Sequence, residues 1–241
     1  MTWLEGKVIE NRRWTEALFS LRVAAAQLSF EAGQFVRIAL DIGGERVARP
    51  FSMVNPPHDP VLEFYGIVVP EGPLSPRLAR LAPGEALYVA SNPAGFLVLS
   101  ELPDAETLWL LSTGTGIAPF LSMLGTEAPW RRYRNVVLVH AVRHARELVY
   151  RERIESFPKL KYVRMVSREN APGALSGRIP AAVRDGRLEA AAGSRLAAQT
   201  SQVMLCGNPD MLKDTAAALA ERGMRKHRRR APGHITVESF W

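Results

Sequence analysis

The chain holds 241 residues, 47% apolar, 23% charged and 8% aromatic, which is too apolar for a disordered polymer and too evenly interrupted by charge for a membrane span. Its single cysteine, Cys206, excludes an internal disulfide and a cysteine-held cluster, and the five histidines form no HExxH pair, so no metal is expected. The net charge of +7 is concentrated in residues 222–230, where six Lys or Arg stand with no acid and outside which 25 bases face 24 acids; that stretch reads first as a solvated loop, and after that as a nucleic-acid patch or a dock for an acidic protein.

The first 100 residues read as β structure. Short alternating or apolar runs at 7–10, 19–23, 35–40, 47–54, 62–69 and 87–89 are divided by turn signals at Gly33, Gly43-Gly44, Pro56-Pro57 and Pro83-Gly84. Six strands at that spacing predict a small antiparallel β-barrel with one helix at 75–81, capped by the Ser75 hydroxyl. The segment SELPDAE at 100–106 is expected to be a linker. Beyond it, apolar strands at 107–111, 136–141, 162–166 and 203–206 alternate with helical stretches at 117–124, 147–157, 180–184 and 210–222, which predicts an α/β domain with a parallel sheet and ligands beyond its C-terminal strand ends. The alanine- and arginine-rich stretch 188–200 lacks a period and is expected to be a surface excursion, and HITVESFW at 234–241 reads as a last strand. The N-terminus carries no apolar leader, so a cytoplasmic protein is expected.

Four short segments carry chemistry. Arg49-Pro50-Phe51-Ser52 sets a cation, an aromatic ring and a hydroxyl at the end of a strand, suited to a pyrophosphate and a ring system but equally to an ordinary barrel strand. Gly72-Pro73-Leu74-Ser75 opens the barrel's helix, where free N–H groups favour an anion; a plain capped helix reads the same way. Thr113-Gly114-Thr115-Gly116 runs from a strand through a glycine turn into a helix with Pro119 in its first turn, a form that lets a dinucleotide approach the backbone. Cys206-Gly207-Asn208 ends the last long strand of the second half, and Cys206 is there either a site residue or a small buried hydrophobe.

Together RPFS, GPLSPRL, STGTGIAPFLSML, VSRE, GRIP, MLCGNPDM and VESFW resemble the motif set of bacterial ferredoxin (flavodoxin)–NADP⁺ reductases, in that family's order and over essentially the whole chain. The terminal aromatic pair resembles the subclass ending in tyrosine–tryptophan. The resemblance implies two domains: an antiparallel β-barrel FAD-binding domain at 1–100, then an α/β parallel-sheet NADP-binding domain at 101–241 whose last strand returns to the flavin. It further implies that Arg49, Pro50, Phe51, Ser52, Tyr65, Ile67, Val68, Gly72, Pro73, Leu74, Ser75, Thr115 and Trp241 bind FAD. Arg49 would hold the pyrophosphate, Ser52 would stand beside flavin N5 and Trp241 would stack on adenine. Phe51 replaces the family's usual tyrosine, so stacking is expected without a hydroxyl bond. Thr113, Gly114, Thr115, Gly116, Cys206, Gly207 and Asn208 would meet NADP(H), with Arg143, Arg168 and Arg178 on its 2′-phosphate.

Ser52, Cys206, Glu238 and Phe240 are the residues the resemblance sets around the reacting rings, Cys206 as a lining thiol and Phe240 as a gate. With no cysteines for a cluster, the one-electron carrier must be a separate ferredoxin or flavodoxin, acidic and docking near residues 222–230, on a monomeric reductase. Two rivals are an NAD(P)H-dependent flavin or siderophore-type reductase acting on small molecules, against which the three arginines and Phe240-Trp241 argue, and a basic nucleic-acid-binding protein, which leaves GTGIAP and RPFS unexplained.

Overall fold

The computed structural model describes residues 2–239; Phe240 and Trp241, expected as gate and anchor, lie outside the described residues. The alternating runs of the first half form β1 (Trp3–Arg13), β2 (Leu18–Ala25), β3 (Phe35–Ile42), β4 (Glu45–Ser52), β5 (Val61–Ile67) and β6 (Ala86–Ala90), with one short helix, α1 (Ser75–Leu78), between the last two. The strands pair antiparallel in the order β4-β3-β6-β1-β2-β5. A bridge between Met53 and Phe64, with Val54 N–H donating to the Glu63 carbonyl at 2.8 Å, draws the outer strands together and closes the barrel. Inward-facing Phe19, Leu21, Val23, Ile38, Phe64, Leu87 and Val89 fill its interior. Pro50 falls on β4, at the end of the sheet, where a missing N–H is tolerated.

The expected helix at 75–81 is shorter, and Ser75 does not cap it. The N–H groups of Arg77 and Leu78 that it would have capped already donate to the Leu74 carbonyl, and Ser75 Oγ instead accepts from Val69 N–H at 2.9 Å.

The second half forms a six-stranded parallel sheet from β7 (Thr107–Thr113), β8 (Asn135–Val142), β9 (Leu160–Val166), β10 (Leu175–Ser176), β11 (Ser201–Gly207) and β12 (Ile235–Ser239), ordered β10-β9-β8-β7-β11-β12. Its helices are α2 (Ala118–Leu124), α3 (Ala128–Arg132), α4 (Arg151–Glu155), α5 (Ile179–Arg184), α6 (Arg187–Ala192) and α7 (Pro209–Ala220). The helix expected at 147–157 is confined to α4, while α3 and β10 are additions; none of these reaches two helical turns or a full alternation, so none has a period to read. The stretch 188–200 is not a surface excursion: it overlaps α6, and Leu188 (0% exposed) and Leu196 (3%) sit in the core on one face of the sheet.

On the other face the two halves share one core. Leu18, Val54 and Tyr65 of the barrel pack with Leu108, Leu110, Phe120, Leu121 and Leu138 of the α/β half. Leu99 and Leu102 join them, so the expected linker at 100–106 is anchored by burial rather than free. No described helix is long and apolar enough to cross a membrane.

Candidate functional site

The site begins where β7 ends. Gly114 takes a left-handed conformation (φ +53°) that turns the chain out of the strand into a 3-10 turn, Gly114–Ile117, and then α2, whose first turn accepts Pro119. The neighbouring strand β11 ends against this turn. A side chain on Gly116 would collide with the Cys206 carbonyl, and one on Gly207 (φ +136°) with Thr113 Oγ1. Glycine at both positions is therefore what lets two parallel strand ends close to backbone contact. Thr113 Oγ1 accepts the Asn208 N–H at 3.0 Å, and Asn208 Oδ1 caps α7 by accepting from Asp210 and Met211 N–H at 3.0 and 3.2 Å. The expected nicotinamide residues 113–116 and 206–208 thus converge, but the hydroxyl of Thr113 and the amide oxygen of Asn208 hold the turn itself.

Cys206 is fully buried, and burial together with Glu238 pushes its thiol well above the ordinary value. It is a protonated packing group in the shared core; its carbonyl, not an exposed sulfur, meets the turn. His140, on β8 below Gly114, is also fully buried and held down to about 4, hence neutral. Four residues on, His144 lies beyond the strand and faces Glu169 at 3.4 Å, so strand geometry separates the two rings. Among the described residues no group of His, Cys, Asp or Glu could hold a metal ion.

A chain of contacts links this turn to the barrel. In the β11–β12 register Glu238 stands directly opposite Cys206. A Cβ at Gly95 would lie 3.0 Å from Glu238 Oε2 and 3.2 Å from the Phe35 ring, and Phe35 pairs across from Ser52. Two polar atoms along this seam are buried with no hydrogen-bond partner among the described residues, Ser52 Oγ and Glu238 Oε1. Each orphan costs about 1–3 kcal/mol unless something outside the chain bonds it. Burial also raises the Glu238 carboxyl to about 7.

The remaining barrel residues fit a cofactor unequally. Arg49 is exposed and in no ion pair among the described residues. Phe51 is half-buried over Gly66, edge-on to Phe64 at 6.4 Å, which leaves part of its ring open. Residues 69–75 close on themselves through Gly72 N–H to Val69 O and Val69 N–H to Ser75 Oγ. Because Pro70, Pro73 and Pro76 lack N–H groups, this leaves those of Glu71, Leu74 and Ser75 as the loop's remaining donors among the described residues. Ile67 and Val68 are half-buried at the end of β5. The ring of Tyr65 sits in the shared core, 5.4 Å and edge-on from Tyr150, and its hydroxyl is buried with no hydrogen-bond partner among the described residues.

Parallel register assembles the three expected phosphate arginines. Arg168 N–H donates to the Arg143 carbonyl at 3.0 Å, Gly177 N–H to the Val166 carbonyl at 3.0 Å, and Arg178 is the next residue, preceding α5. All three are exposed and free of ion pairs among the described residues. Glu147 and Glu169 hold the adjoining loop by accepting from Arg143 and Ala145 N–H at 2.9 and 2.6 Å.

The basic stretch is divided. Arg222 turns inward to Glu189 and the Val183 carbonyl, and Arg229 pairs with Glu101 while lying 5.1 Å over Phe96, which also stacks on buried His227. Arg225, Lys226, Arg228 and Arg230 stay exposed. The loop thereby rests on residues 96–101, beside Gly95 and the Glu238 seam.

Sequence reading missed the polar fastenings between the halves, made by Asn55, Glu63, Ser122, Tyr150 and Arg153. No spacing signals them, because their partners are 67 to 90 positions apart.

Residues 110–217 match the model of the oxidoreductase NAD-binding domain. The chain is 51% identical to the flavodoxin/ferredoxin–NADP reductases of Shigella flexneri and of Escherichia coli (strain K12), over 99% of this chain and 99% of each relative. It superposes with a TM-score of 0.96, at 32% identity and over 100% of both chains, on the crystal structure of a ferredoxin NADP+ reductase from Neisseria gonorrhoeae with bound FAD and NADP.

Proposed function

The chain belongs to the flavodoxin/ferredoxin–NADP reductase family, and we propose that the seam between barrel and parallel sheet is where its residues perform that family's electron exchange. It is an FAD-dependent oxidoreductase working between NADPH and a ferredoxin or flavodoxin. Bound FAD converts between the two-electron chemistry of nicotinamide and the one-electron chemistry of the carrier.

Arg49 and the N–H groups at the tip of 72–75 hold the FAD pyrophosphate, and Phe51, Ile67 and Val68 cover its ring system. The Gly114 and Gly207 turns admit the nicotinamide, with Thr115 lining the contact. Arg143, Arg168 and Arg178 take the 2′-phosphate, a charge that NADH lacks. Ser52 Oγ donates a hydrogen bond to the flavin edge, and the Glu238 carboxyl holds a proton near neutrality. Phe240 and Trp241 keep the gate and anchor roles given by the family resemblance.

The observation that carries this reading is the pair of orphaned oxygens, Ser52 Oγ and Glu238 Oε1, on one continuous seam with the glycine turns. The free arginines favour it over a flavin or siderophore-type reductase. The divided basic stretch leaves four exposed cations beside the seam, which supports an acidic carrier docking there over nucleic acid. We read the protein as a monomer and as cytoplasmic.

Replacing Ser52 by alanine tests the reading. The variant should retain FAD and fold, yet its flavin should be reduced by NADPH at least tenfold more slowly, as loss of about 1.4 kcal/mol of transition-state stabilisation requires. Wild-type protein that purifies colourless and takes up no FAD, or a Ser52→Ala variant at full rate, would refute it.

A further inference from the structure

We propose that Glu63 is a positioning residue, which through Tyr150 and Arg153 sets the angle at which the nicotinamide-binding half meets the barrel. The inference rests on the functional reading above, because the distance it controls is that between the two reacting rings.

Tyr150 is the only described non-glycine residue with positive φ (60°, ψ 17°), immediately before α4. A left-handed backbone at a bulky residue persists only where its surroundings impose it. Here that conformation delivers the ring into the shared core, 4.9 Å from Trp14 and 5.4 Å from Tyr65, and lets its hydroxyl donate to Glu63 Oε1 at 2.7 Å. Arg153, one turn along the same short helix, approaches Glu63 Oε2 at 3.3 Å and donates to the Val54 carbonyl at 3.1 Å. One carboxylate on β5 therefore receives two donors from the α4 segment, and neither donor has sequence neighbours on the barrel.

The main chain of Glu63 extends the fastening toward the site. Its N–H donates to Asn55 Oδ1 at 2.8 Å and its carbonyl accepts from Val54 N–H. Asn55 is 1% exposed, and its carbonyl accepts Ser122 Oγ at 2.7 Å. Ser122 lies on α2, the helix launched by the Gly114 turn, and Asn55 lies three residues after Ser52. Hence the two motifs that hold opposite reacting rings are joined through a single polar network, with Glu63 at its far end. Rotation of one half against the other would break it at both points. Barrel packing alone needs none of these bonds, since Leu62 and Phe64 supply the inward face of the same strand.

The test compares Tyr150→Phe, which keeps the ring and removes the hydroxyl, with Glu63→Ala, both as FAD-loaded protein. Anaerobic flavin reduction is followed with NADPH and, separately, with dithionite, which needs no nicotinamide domain. Long-wavelength absorbance on adding NADP⁺ and amide hydrogen exchange at residues 54 and 63 are also read. We expect the limiting rate with NADPH to fall about tenfold in each variant, since displacement by about 1 Å costs up to about a hundredfold. The apparent Kd for NADPH should stay within about twofold, dithionite reduction should not change, the absorbance band should weaken and exchange should accelerate. The double variant should be no slower than either single one. If Glu63→Ala loses its flavin, Tyr150→Phe decides alone. A wild-type rate and absorbance band in flavin-loaded Tyr150→Phe would overturn the proposal. Wild-type flavin that NADPH does not reduce would overturn the functional reading, and the proposal with it.

Discussion

Replacing Glu238 by glutamine should remove a pH dependence of stability whose size the structure sets. Glu238 stands opposite Cys206 in the sheet, its Oε1 has no partner among the described residues, and burial raises its carboxyl from 4.5 to about 7. A shift of that size corresponds to about 3 kcal/mol. The folded chain keeps this proton up to about pH 7, whereas the unfolded chain releases it above about pH 4.5, so the native state binds more protons in between. The contribution of Glu238 is therefore fully present below about pH 4.5 and is lost as pH rises through about 7. A glutamine side chain in its place would be neutral throughout. Thermal unfolding of both proteins between about pH 5 and pH 8 isolates the effect, since every other titrating group is common to them. At about 2–4 °C per kcal/mol for a chain of this size, the wild-type Tm should fall relative to the variant by roughly 6–10 °C. Parallel curves would show that the carboxyl is not held protonated, and would remove its assignment as a proton-holding group beside the flavin.

Two further outcomes follow from the arginines. Replacing Arg168 and Arg178 together by alanine should raise the KM for NADPH more than about tenfold, each charge-assisted bond being worth about 1.5–3 kcal/mol at best, and should barely change that for NADH; steady-state kinetics with both coenzymes checks it, and equal losses would refute the assignment. Neutralising Arg228 and Arg230 as glutamine should slow reduction of an acidic carrier and flatten its salt dependence, screening at physiological ionic strength acting over about 8 Å. Arg229 is left out because its guanidinium is committed to Glu101, and an uncharged quinone acceptor provides the control; an unchanged salt slope would return the loop to a merely solvated one.

What could be read from the sequence was whatever is local along the chain. Strand alternation, the glycine turn of 113–116 with Pro119 behind it, and the RPFS strand end each lie within a dozen residues, and backbone geometry maps such spacing directly onto structure. Arg143, Arg168 and Arg178 were singled out by the family resemblance, and parallel register is what brings them to one edge of the sheet. The tertiary structure alone decided which of these groups remain available. Arg222 and Arg229 look alike in a run of six cations, yet acceptors 33 and 128 positions away engage them. Cys206 and Tyr65 become core residues through the packing of one half on the other. The Ser75 hydroxyl closes a loop instead of capping a helix. In each case the outcome depends on which partner comes within about 3 Å, and burial then fixes its energy; neither quantity has a period in the sequence.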